Sequence, residues 1–221
     1  MLHLLFPRLC EGCRRALTPD EDILCLHCEL ELPFTGYHHI RDNTTVTRLA
    51  GRFPFEHATS LAWFTREGLL QHLIHRLKYQ RRKQTGVYLG RLLGQALLEQ
   101  HWDLDAIVPV PLHPRKERQR GYNQSVLIAQ GVASILQIPV RDKAFVRTRF
   151  TATQTDKNRE ERIRNVEAAF SVRKAGDLAG KHLLLLDDVL TTGATVESLA
   201  LTALNIPGVR VSIATCGIAY G

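Results

Sequence analysis

The chain has 221 residues and is 44% hydrophobic, which allows one medium domain, or one domain with a small appendage, around an ordinary core. Its 29 lysines and arginines exceed its 22 aspartates and glutamates, and the net charge of +7 favours an anionic partner: phosphate esters, nucleic acid or both. A basic surface that only keeps the protein in solution is the alternative. No apolar run approaches the length of a membrane span, and the start MLHLLFPRLC does not resemble a signal peptide, so we expect a cytoplasmic protein.

Four cysteines near the N-terminus form two C-x2-C pairs. Cys10 and Cys13 are the first pair and Cys25 and Cys28 the second, with eleven residues between the pairs. Each pair can place two thiolates on one ion, and the intervening loop lets the pairs meet in a tetrahedron. Redox pairs, free thiols, or His27 in place of one cysteine are the alternatives. In a reducing compartment the spacing favours a structural Zn²⁺ site, because four thiolates leave no open position for catalysis.

The remaining elements are predicted in chain order from hydrophobic periodicity and turn residues. Residues 37–57 are polar, and we predict a linker with room for one strand, between a knuckle domain at 1–36 and a larger domain at 58–221. The predicted elements of the larger domain are a strand at 58–64, helices near 69–77 and 89–97, a strand within 105–112, a helix at 123–136, a strand at 144–148, a charged loop or solvated helix at 148–166, a strand at 182–188, a helix at about 195–205 and a strand at 209–218. Strands that alternate with helices predict an α/β fold with a parallel sheet.

The run LLLLDDVLTTGAT, residues 183–195, connects a strand that is apolar on both faces to a helix. Ligands of open α/β sheets bind at the carboxyl ends of strands, where Asp187 and Asp188 are expected to lie. The threonines, Gly193 and the helix N-terminus offer hydroxyl and N–H donors to an anion. Carboxylates accept hydrogen bonds from a diol, so the whole motif fits a ribose 5-phosphate. An aspartate pair that caps a turn is the alternative; neither the Walker pattern nor the dinucleotide fingerprint is present.

The same run closely resembles the phosphoribosyl pyrophosphate (PRPP) motif of type I phosphoribosyltransferases. With VPVPLHPRKERQRGYNQ, RNVEAAF and the four-cysteine knuckle, nearly the whole chain is similar to the ComF family of competence proteins, also called ComFC or GntX-like. The resemblance implies a type I phosphoribosyltransferase-like parallel sheet flanked by helices, with a small zinc-binding knuckle. It implies that Asp187 and Asp188 hold the ribose hydroxyls as catalytic residues, and that Mg²⁺ bridges ribose and pyrophosphate oxygens. The other implied PRPP-binding residues are Val189, Leu190, Thr191, Thr192, Gly193, Ala194 and Thr195.

Two charged segments are candidates for the pyrophosphate end of PRPP. Arg115, Arg120 and Asn123 follow the strand within 105–112, and guanidinium groups bind phosphate oxygens in a bidentate way; a solvated helix start is the alternative. The segment 148–166 would be the hood loop over the site. Its candidates are Arg162 and Asn165, with Gln154 as a third match to the family and Lys157 near a place where the family often has leucine.

A third basic run, HRLKYQRRK, supplies the nucleic-acid candidates Lys78, Tyr79, Arg81 and Arg82. An aromatic ring beside cationic side chains can stack a base against a groove that follows the phosphate backbone. An ordinary basic helix end is the alternative. The resemblance links this surface to single-stranded DNA in natural transformation, and to a ComFA-like helicase as a partner.

Three functions share the expected PRPP site. An enzyme would transfer the 5-phosphoribosyl group to an unknown acceptor and release pyrophosphate, mainly by positioning substrates and stabilising the leaving group. A binding module would handle single-stranded DNA during DNA uptake. A regulator would sense PRPP without transfer.

Overall fold

A parallel sheet of four strands lies at the centre of the protein, in a computed structural model that describes residues 7–148, 169–173 and 175–220. The strands are β1 (Ala58–Phe64), β2 (Ala106–Pro109), β3 (Phe145–Arg147), β4 (Phe170–Val172), β5 (His182–Leu190) and β6 (Arg210–Ala219). The helices are α1 (Leu26–Leu30), α2 (Thr44–Leu49), α3 (Leu69–Tyr79), α4 (Lys83–Leu98), α5 (Pro114–Arg120), α6 (Gln124–Leu136) and α7 (Ala194–Leu204), with a 3-10 helix at Tyr37–His39. The main sheet has the order β1-β6-β5-β2 with every neighbouring pair parallel, and β3 and β4 form a separate antiparallel pair.

Strand β5 is an inner strand of the main sheet and is covered on both faces. Leu184 and Leu186 belong to one core cluster, and Leu183 and Leu185 belong to the other; all four are 0% exposed. Successive side chains of a strand point to opposite faces, so an unbroken apolar run suits a strand that is covered on both sides. The predicted buried parallel strand is confirmed.

Helices cover the two faces of this sheet. Helices α3, α4 and α6 pack on one face through a cluster that includes Leu73, Leu89 and Ile128. Helix α7 covers the other face through Leu199 and Ala203, beside the small β3–β4 sheet. The predicted α/β sheet with flanking helices is confirmed.

The cysteine knuckle packs on the same face as α3 and shares its core. Leu24 of the knuckle belongs to the cluster that contains Leu70 of α3. The Glu11 carboxylate lies 2.9 Å from Arg76 Nε, and Arg76 Nη1 donates to the Glu11 carbonyl at 2.8 Å. This buried pair joins the knuckle to α3 by both charge and backbone.

The predicted linker, residues 37–57, is described throughout and contains a helix instead of a strand. Asn43 precedes α2, and its side-chain oxygen accepts hydrogen bonds from the N–H groups of Thr45 and Val46. Leu49, at the end of α2, is fully buried. The expectation of a strand is wrong because an N-cap and tertiary burial outweigh the strand propensity of a β-branched run. The predicted division into three segments stays a prediction.

The strands and helices predicted for the larger domain are present, with differences in detail. Helix α4 begins at Lys83, six residues before the predicted start, and β5 continues to Leu190, two residues past the predicted end. Strand β1 has the predicted bounds, and α7 begins one residue earlier than expected. The strand predicted at 144–148 is present as β3, but it pairs with β4, which the sequence analysis did not indicate. Apart from Thr148, the segment 148–166 lies outside the described residues. No helix within the described ranges is both long and apolar enough to cross a membrane.

Candidate functional site

The loop after β5 encloses a small cavity at the N-terminus of α7. Gly193 has a φ of +84°, a left-handed conformation that glycine adopts without strain, and a Cβ there would lie 3.0 Å from Leu49 Cδ2. The cavity is lined by Asp187, Val189, Leu190, Thr191, Thr192, Gly193, Ala194, Thr195 and Val196. All the expected PRPP-binding residues except Asp188 therefore meet around one space.

Helix α7 begins at this cavity without a side-chain cap. The first N–H groups of a helix have no partners inside the helix, and the helix dipole places partial positive charge there. One of them, the Ala194 N–H, makes a long hydrogen bond of 3.4 Å to Thr192 Oγ1. The cavity thus combines backbone donors and hydroxyls, which is the chemistry that binds a phosphate.

Asp187 is held by uncharged donors at the edge of the cavity. Its Oδ1 accepts hydrogen bonds from Ser125 Oγ at 3.1 Å and from the Asp188 N–H at 2.9 Å. Burial, followed by the neighbouring charge of Asp188, raises the pKa of Asp187 to about 7. Near neutral pH this carboxyl group is therefore divided between its protonated and ionised forms.

Asp188 is buried and is held by a cation instead. Lys78 Nζ, from the last turn of α3, lies 2.9 Å from Asp188 Oδ1 and 2.9 Å from Oδ2. Lys78 was predicted as a nucleic-acid contact, and its ammonium group lies at the PRPP motif. The negative charges of the two adjacent carboxyl groups are thus reduced in different ways: the raised pKa of Asp187 favours its protonated form, and Asp188 forms an ion pair with Lys78.

Two arginines from the segment predicted as a linker hold the loop after β5 from outside. Arg48 Nη1 donates to the carbonyl oxygens of Thr191 at 3.0 Å and Leu190 at 3.4 Å. Arg52 Nη1 donates to the Thr192 carbonyl at 2.6 Å. Neither arginine was predicted, because no helix was assigned to this segment. The signal that would have placed them is the capping residue Asn43, five positions before Arg48 in DNTTVTR.

The candidates that follow β2 divide into one inward and two outward residues. Asn123 is buried: its Nδ2 donates to the Val110 carbonyl at 2.9 Å, and its Oδ1 accepts from the Ser125 N–H at 3.0 Å. Its amide therefore fixes the start of α6, which positions Ser125 against the motif. Arg115 is exposed on α5. Arg120, the last residue of α5, donates a hydrogen bond to the side chain of Gln124, the first residue of α6.

The hood candidates Arg162 and Asn165, with Gln154, lie outside the described residues. The last described residues before that segment, at the end of β3, lie near the PRPP motif. Arg147, at the end of β3, has its pKa lowered by burial, and the negative charge of Asp187 opposes the shift. Arg147 is a further cation near the carboxylates that the sequence analysis did not single out.

The other nucleic-acid candidates form an exposed surface next to α5. Tyr79 is 67% exposed, and the Arg120 guanidinium lies 5.6 Å from its ring centroid. Arg81 follows with a positive φ of 57°, and Arg82 Nε lies 3.6 Å from a Glu11 carboxylate oxygen. The exposed part of the run 76–83 therefore meets the end of α5 through the Tyr79 ring, whereas Arg76 and Lys78 point inward to Glu11 and Asp188.

The four predicted cysteines meet in the knuckle. The ligand atoms of Cys10, Cys13, Cys25 and Cys28 all lie within 4.8 Å of one another, and three of the four residues are buried. Backbone N–H groups of Gly12 and Cys25 each donate to Cys10 Sγ at 3.3 Å, which stabilises a thiolate. A backbone hydrogen bond from Arg15 lowers the pKa of Cys13 to about 6.

This arrangement suits a tetrahedral Zn²⁺ ion, because soft sulfur ligands converge on one point and no disulfide links them. The alternative ligand His27 is exposed, and its Nε2 lies 3.3 Å from Glu31. It is not part of the cysteine cluster.

Comparisons with known proteins agree with this geometry. Residues 123–218 match the family model described as a phosphoribosyl transferase domain. The chain is 32% identical over 210 residues to the DNA utilization protein YhgH of Escherichia coli K12, covering 93% of this chain and 88% of that protein. It is 28% identical over 218 residues to competence protein F of Haemophilus influenzae, covering 95% and 91%. The chain belongs to the ComF family. This ComF-family chain is also 32% identical to competence protein ComFC of Bacillus subtilis over 91 residues, 41% of this chain and 35% of that protein.

The predicted family is therefore confirmed, together with a phosphoribosyltransferase-like sheet and a cysteine cluster that can hold zinc. The two relatives match 93% and 95% of this chain, so the shared sequence extends well beyond residues 123–218 and includes the segment 37–57.

Proposed function

We propose that this ComF-family protein binds PRPP at the loop after β5 and transfers its 5-phosphoribosyl group to an acceptor, with release of pyrophosphate. The observation that carries the proposal is the pair Asp187 and Asp188 beside an open cavity at a helix N-terminus without a side-chain cap. Carboxylates accept hydrogen bonds from a diol, and a helix N-terminus attracts a phosphate. The two halves of the site fit the ribose and the 5-phosphate of one molecule.

The two carboxyl groups would bind the ribose hydroxyls in complementary ways. Asp188 is an ionised acceptor whose charge Lys78 balances, so a diol can bind without a large uncompensated charge in a buried site. Asp187, with its raised pKa, either accepts from or donates to a hydroxyl. Ser125 fixes the orientation of Asp187 in both forms.

Cations near the site would stabilise the leaving group. In the transfer, the bond between C1 of the ribose and the pyrophosphate oxygen breaks, pyrophosphate leaves with the electron pair, and the acceptor's nucleophile forms a bond to C1. Lys78, Arg147 and Arg120 lie around the carboxylates and the neighbouring surface, where they can offset the charge of pyrophosphate. Mg²⁺, a cation that prefers oxygen ligands, fits beside Asp187 and Asp188 and would supply charge neutralisation on the pyrophosphate.

The proposed cellular role is DNA uptake in the cytoplasm, and a second candidate function is direct binding of single-stranded DNA. The relatives carry the names competence protein and DNA utilization protein, which supports the role. Tyr79, exposed among Arg81, Arg82 and Arg120, supports the direct contact, since bases stack on aromatic rings beside cations. A ComFA-like helicase is the proposed protein partner.

PRPP titration by calorimetry, with and without Mg²⁺, tests the proposed site. The double variant Asp187→Asn, Asp188→Asn should bind PRPP about ten- to a hundredfold more weakly, because hydrogen bonds to charged acceptors contribute about 1.5–3 kcal/mol. Asp142→Asn, at an exposed position outside the site, is the matched control and should bind like wild type. Equal affinities of the double variant and wild type would place the PRPP site elsewhere. Pyrophosphate release from PRPP, screened with bases and oligonucleotides, separates transfer from sensing.

Single-stranded DNA affinity at several salt concentrations tests the second candidate function. The variant Arg81→Glu, Arg82→Glu should bind an oligonucleotide more weakly, with a shallower dependence on salt, because fewer counterions are released. The variant Lys143→Glu, Arg173→Glu changes the charge equally at exposed positions near the β3–β4 sheet and is the control. Loss of affinity in both variants to the same extent would mean that net charge, and not this surface, binds DNA.

A further inference from the structure

A cluster of two histidines and one glutamate lies apart from both the cysteine knuckle and the PRPP motif. The 3-10 helix Tyr37–His39 places the rings of His38 and His39 side by side, with centroids 4.0 Å apart. His38 Nε2 lies 3.6 Å from Glu99 Oε2, and His39 Nε2 lies 3.5 Å from the same oxygen. Two imidazole nitrogens thus converge on one carboxylate oxygen.

We propose that His38, His39 and Glu99 form a second metal site, for a divalent transition metal such as Zn²⁺, Co²⁺ or Ni²⁺. Metal–nitrogen and metal–oxygen bonds of about 2.0–2.2 Å put neighbouring tetrahedral ligand atoms roughly 3.3–3.6 Å apart. The two histidine-to-glutamate separations already have that value, and all three ligand atoms lie within 4.8 Å of one another. An ion can enter with little movement of the backbone.

The backbone around the three ligands is fixed by ordinary hydrogen bonds. The His39 N–H donates to the Gly36 carbonyl at 3.0 Å, and the Tyr37 hydroxyl donates to Thr44 Oγ1 at 2.7 Å. Glu99 caps the C-terminus of α4, where its N–H donates to the Gln95 carbonyl at 3.4 Å. The proposed ligands therefore come from two anchored elements, which lowers the entropy lost when an ion binds.

The donor set decides which ions suit the site. Nitrogen from imidazole favours zinc, cobalt, nickel and copper over Mg²⁺ and Ca²⁺, which prefer oxygen throughout. Three protein ligands leave positions for water, and His38 and His39 also line an open groove.

A metal ion bound at this site would link residues between the knuckle and the sheet, in a region apart from the PRPP motif. The groove is also lined by His57 and Asp103, which precede the starts of β1 and β2, whereas the PRPP motif includes the carboxyl end of β5 and the loop that follows it. A bound ion would tie the segment after the knuckle to the end of α4. Its occupancy therefore needs a test that does not depend on PRPP binding.

Metal content and Co²⁺ spectroscopy of the full chain test the proposal. Wild type dialysed against micromolar Zn²⁺ should hold about two ions per chain, and His39→Ala or Glu99→Gln should hold about one, with the second affinity reduced at least about tenfold. His72→Ala, which removes an exposed imidazole on α3, should keep two. Cobalt at the second site should give weak absorption without the sulfur charge-transfer band of the knuckle.

Either of two results would overturn the proposal. One is a wild-type chain that holds a single ion, all of it sensitive to Cys13→Ser. The other is a second ion that survives unchanged in His38→Ala, His39→Ala and Glu99→Gln. Both results are read from wild type or from substitutions at partly or fully exposed positions, with circular dichroism as the check of folding, and neither depends on whether PRPP binds.

Discussion

The cysteine knuckle and the PRPP motif gather negatively charged groups in opposite ways. The knuckle is self-contained: its four cysteines come from 19 consecutive residues, three of them are buried, and they converge on one another. The PRPP motif is open to a cavity, and residues distant in sequence hold it. Lys78 and Ser125 contact the two carboxyl groups at the end of β5, and Arg48 contacts the loop that follows. Changes in a closed site should therefore appear as lost stability, whereas changes around an open site should appear as lost affinity.

Replacement of a knuckle cysteine should give the largest effect. Cys10→Ser removes one of the four thiolates, so the zinc content of the knuckle should fall from about one ion per chain toward none. The effect on stability should be large, because structural zinc contributes on the order of 10 kcal/mol to the folding of zinc-finger peptides. Because the knuckle shares its core with α3, the melting temperature of the whole chain should fall. Cys216→Ser, at a thiol outside the cluster, should keep the knuckle's zinc. A wild-type chain that is folded without zinc, and that melts at the same temperature with and without zinc, would contradict this prediction.

Replacement of Arg48 and Arg52, which hold the loop after β5, should have an intermediate effect, and only on the affinity for PRPP. Arg48→Ala with Arg52→Ala frees the carbonyls of Thr191 and Thr192, and PRPP affinity should fall about tenfold, roughly 1.4 kcal/mol. Unfolding by denaturant should change little, because Arg52 is exposed and Arg48 is half-buried.

The variant Arg48→Lys, Arg52→Lys is the control for charge, and it should recover affinity only in part if the geometry of the guanidinium bonds matters. If the alanine variant loses both PRPP affinity and stability, the two arginines stabilise the fold. Changes around the loop after β5 would then affect stability, as changes in the knuckle do.

The last expected effect concerns pH and appears only as a slope. The pKa of Asp187 is raised from 3.8 to about 7, so between these values the folded state binds more protons than the unfolded state. Stability should therefore decrease as pH rises from about 4 toward 7, with a slope of at most about 1.4 kcal/mol per pH unit from this one group. Asp187→Asn should flatten this part of the curve, measured by urea unfolding at pH 5, 6, 7 and 8. Parallel curves for the two proteins would assign Asp187 an ordinary carboxylate environment.

The sequence was sufficient for the central sheet and for the loop after β5, because both depend on local pattern. An apolar run that ends in two acids and a glycine turn specifies a buried strand and its ligand-binding end without knowledge of any partner. The sequence did not indicate which residues reach that loop from elsewhere. Lys78 looked like part of a basic surface run, and Arg48 and Arg52 lay in a segment with no apolar periodicity. Long-range contacts of this kind depend on how elements pack, which a pattern in one segment does not encode.

The Glu11–Arg76 pair has a consequence for any shortened form of the protein. Arg76 is 4% exposed, and both its ion-pair partner and its carbonyl acceptor come from Glu11, in the knuckle. A chain that begins after residue 36 would lose this ion pair and the backbone hydrogen bond together. It would also leave one face of α3 without its cover, two residues before the lysine that contacts Asp188, so that apolar side chains packed against the knuckle would face water. Measurements of PRPP binding are therefore best made on the full chain, in which the face of α3 that precedes Lys78 keeps its cover.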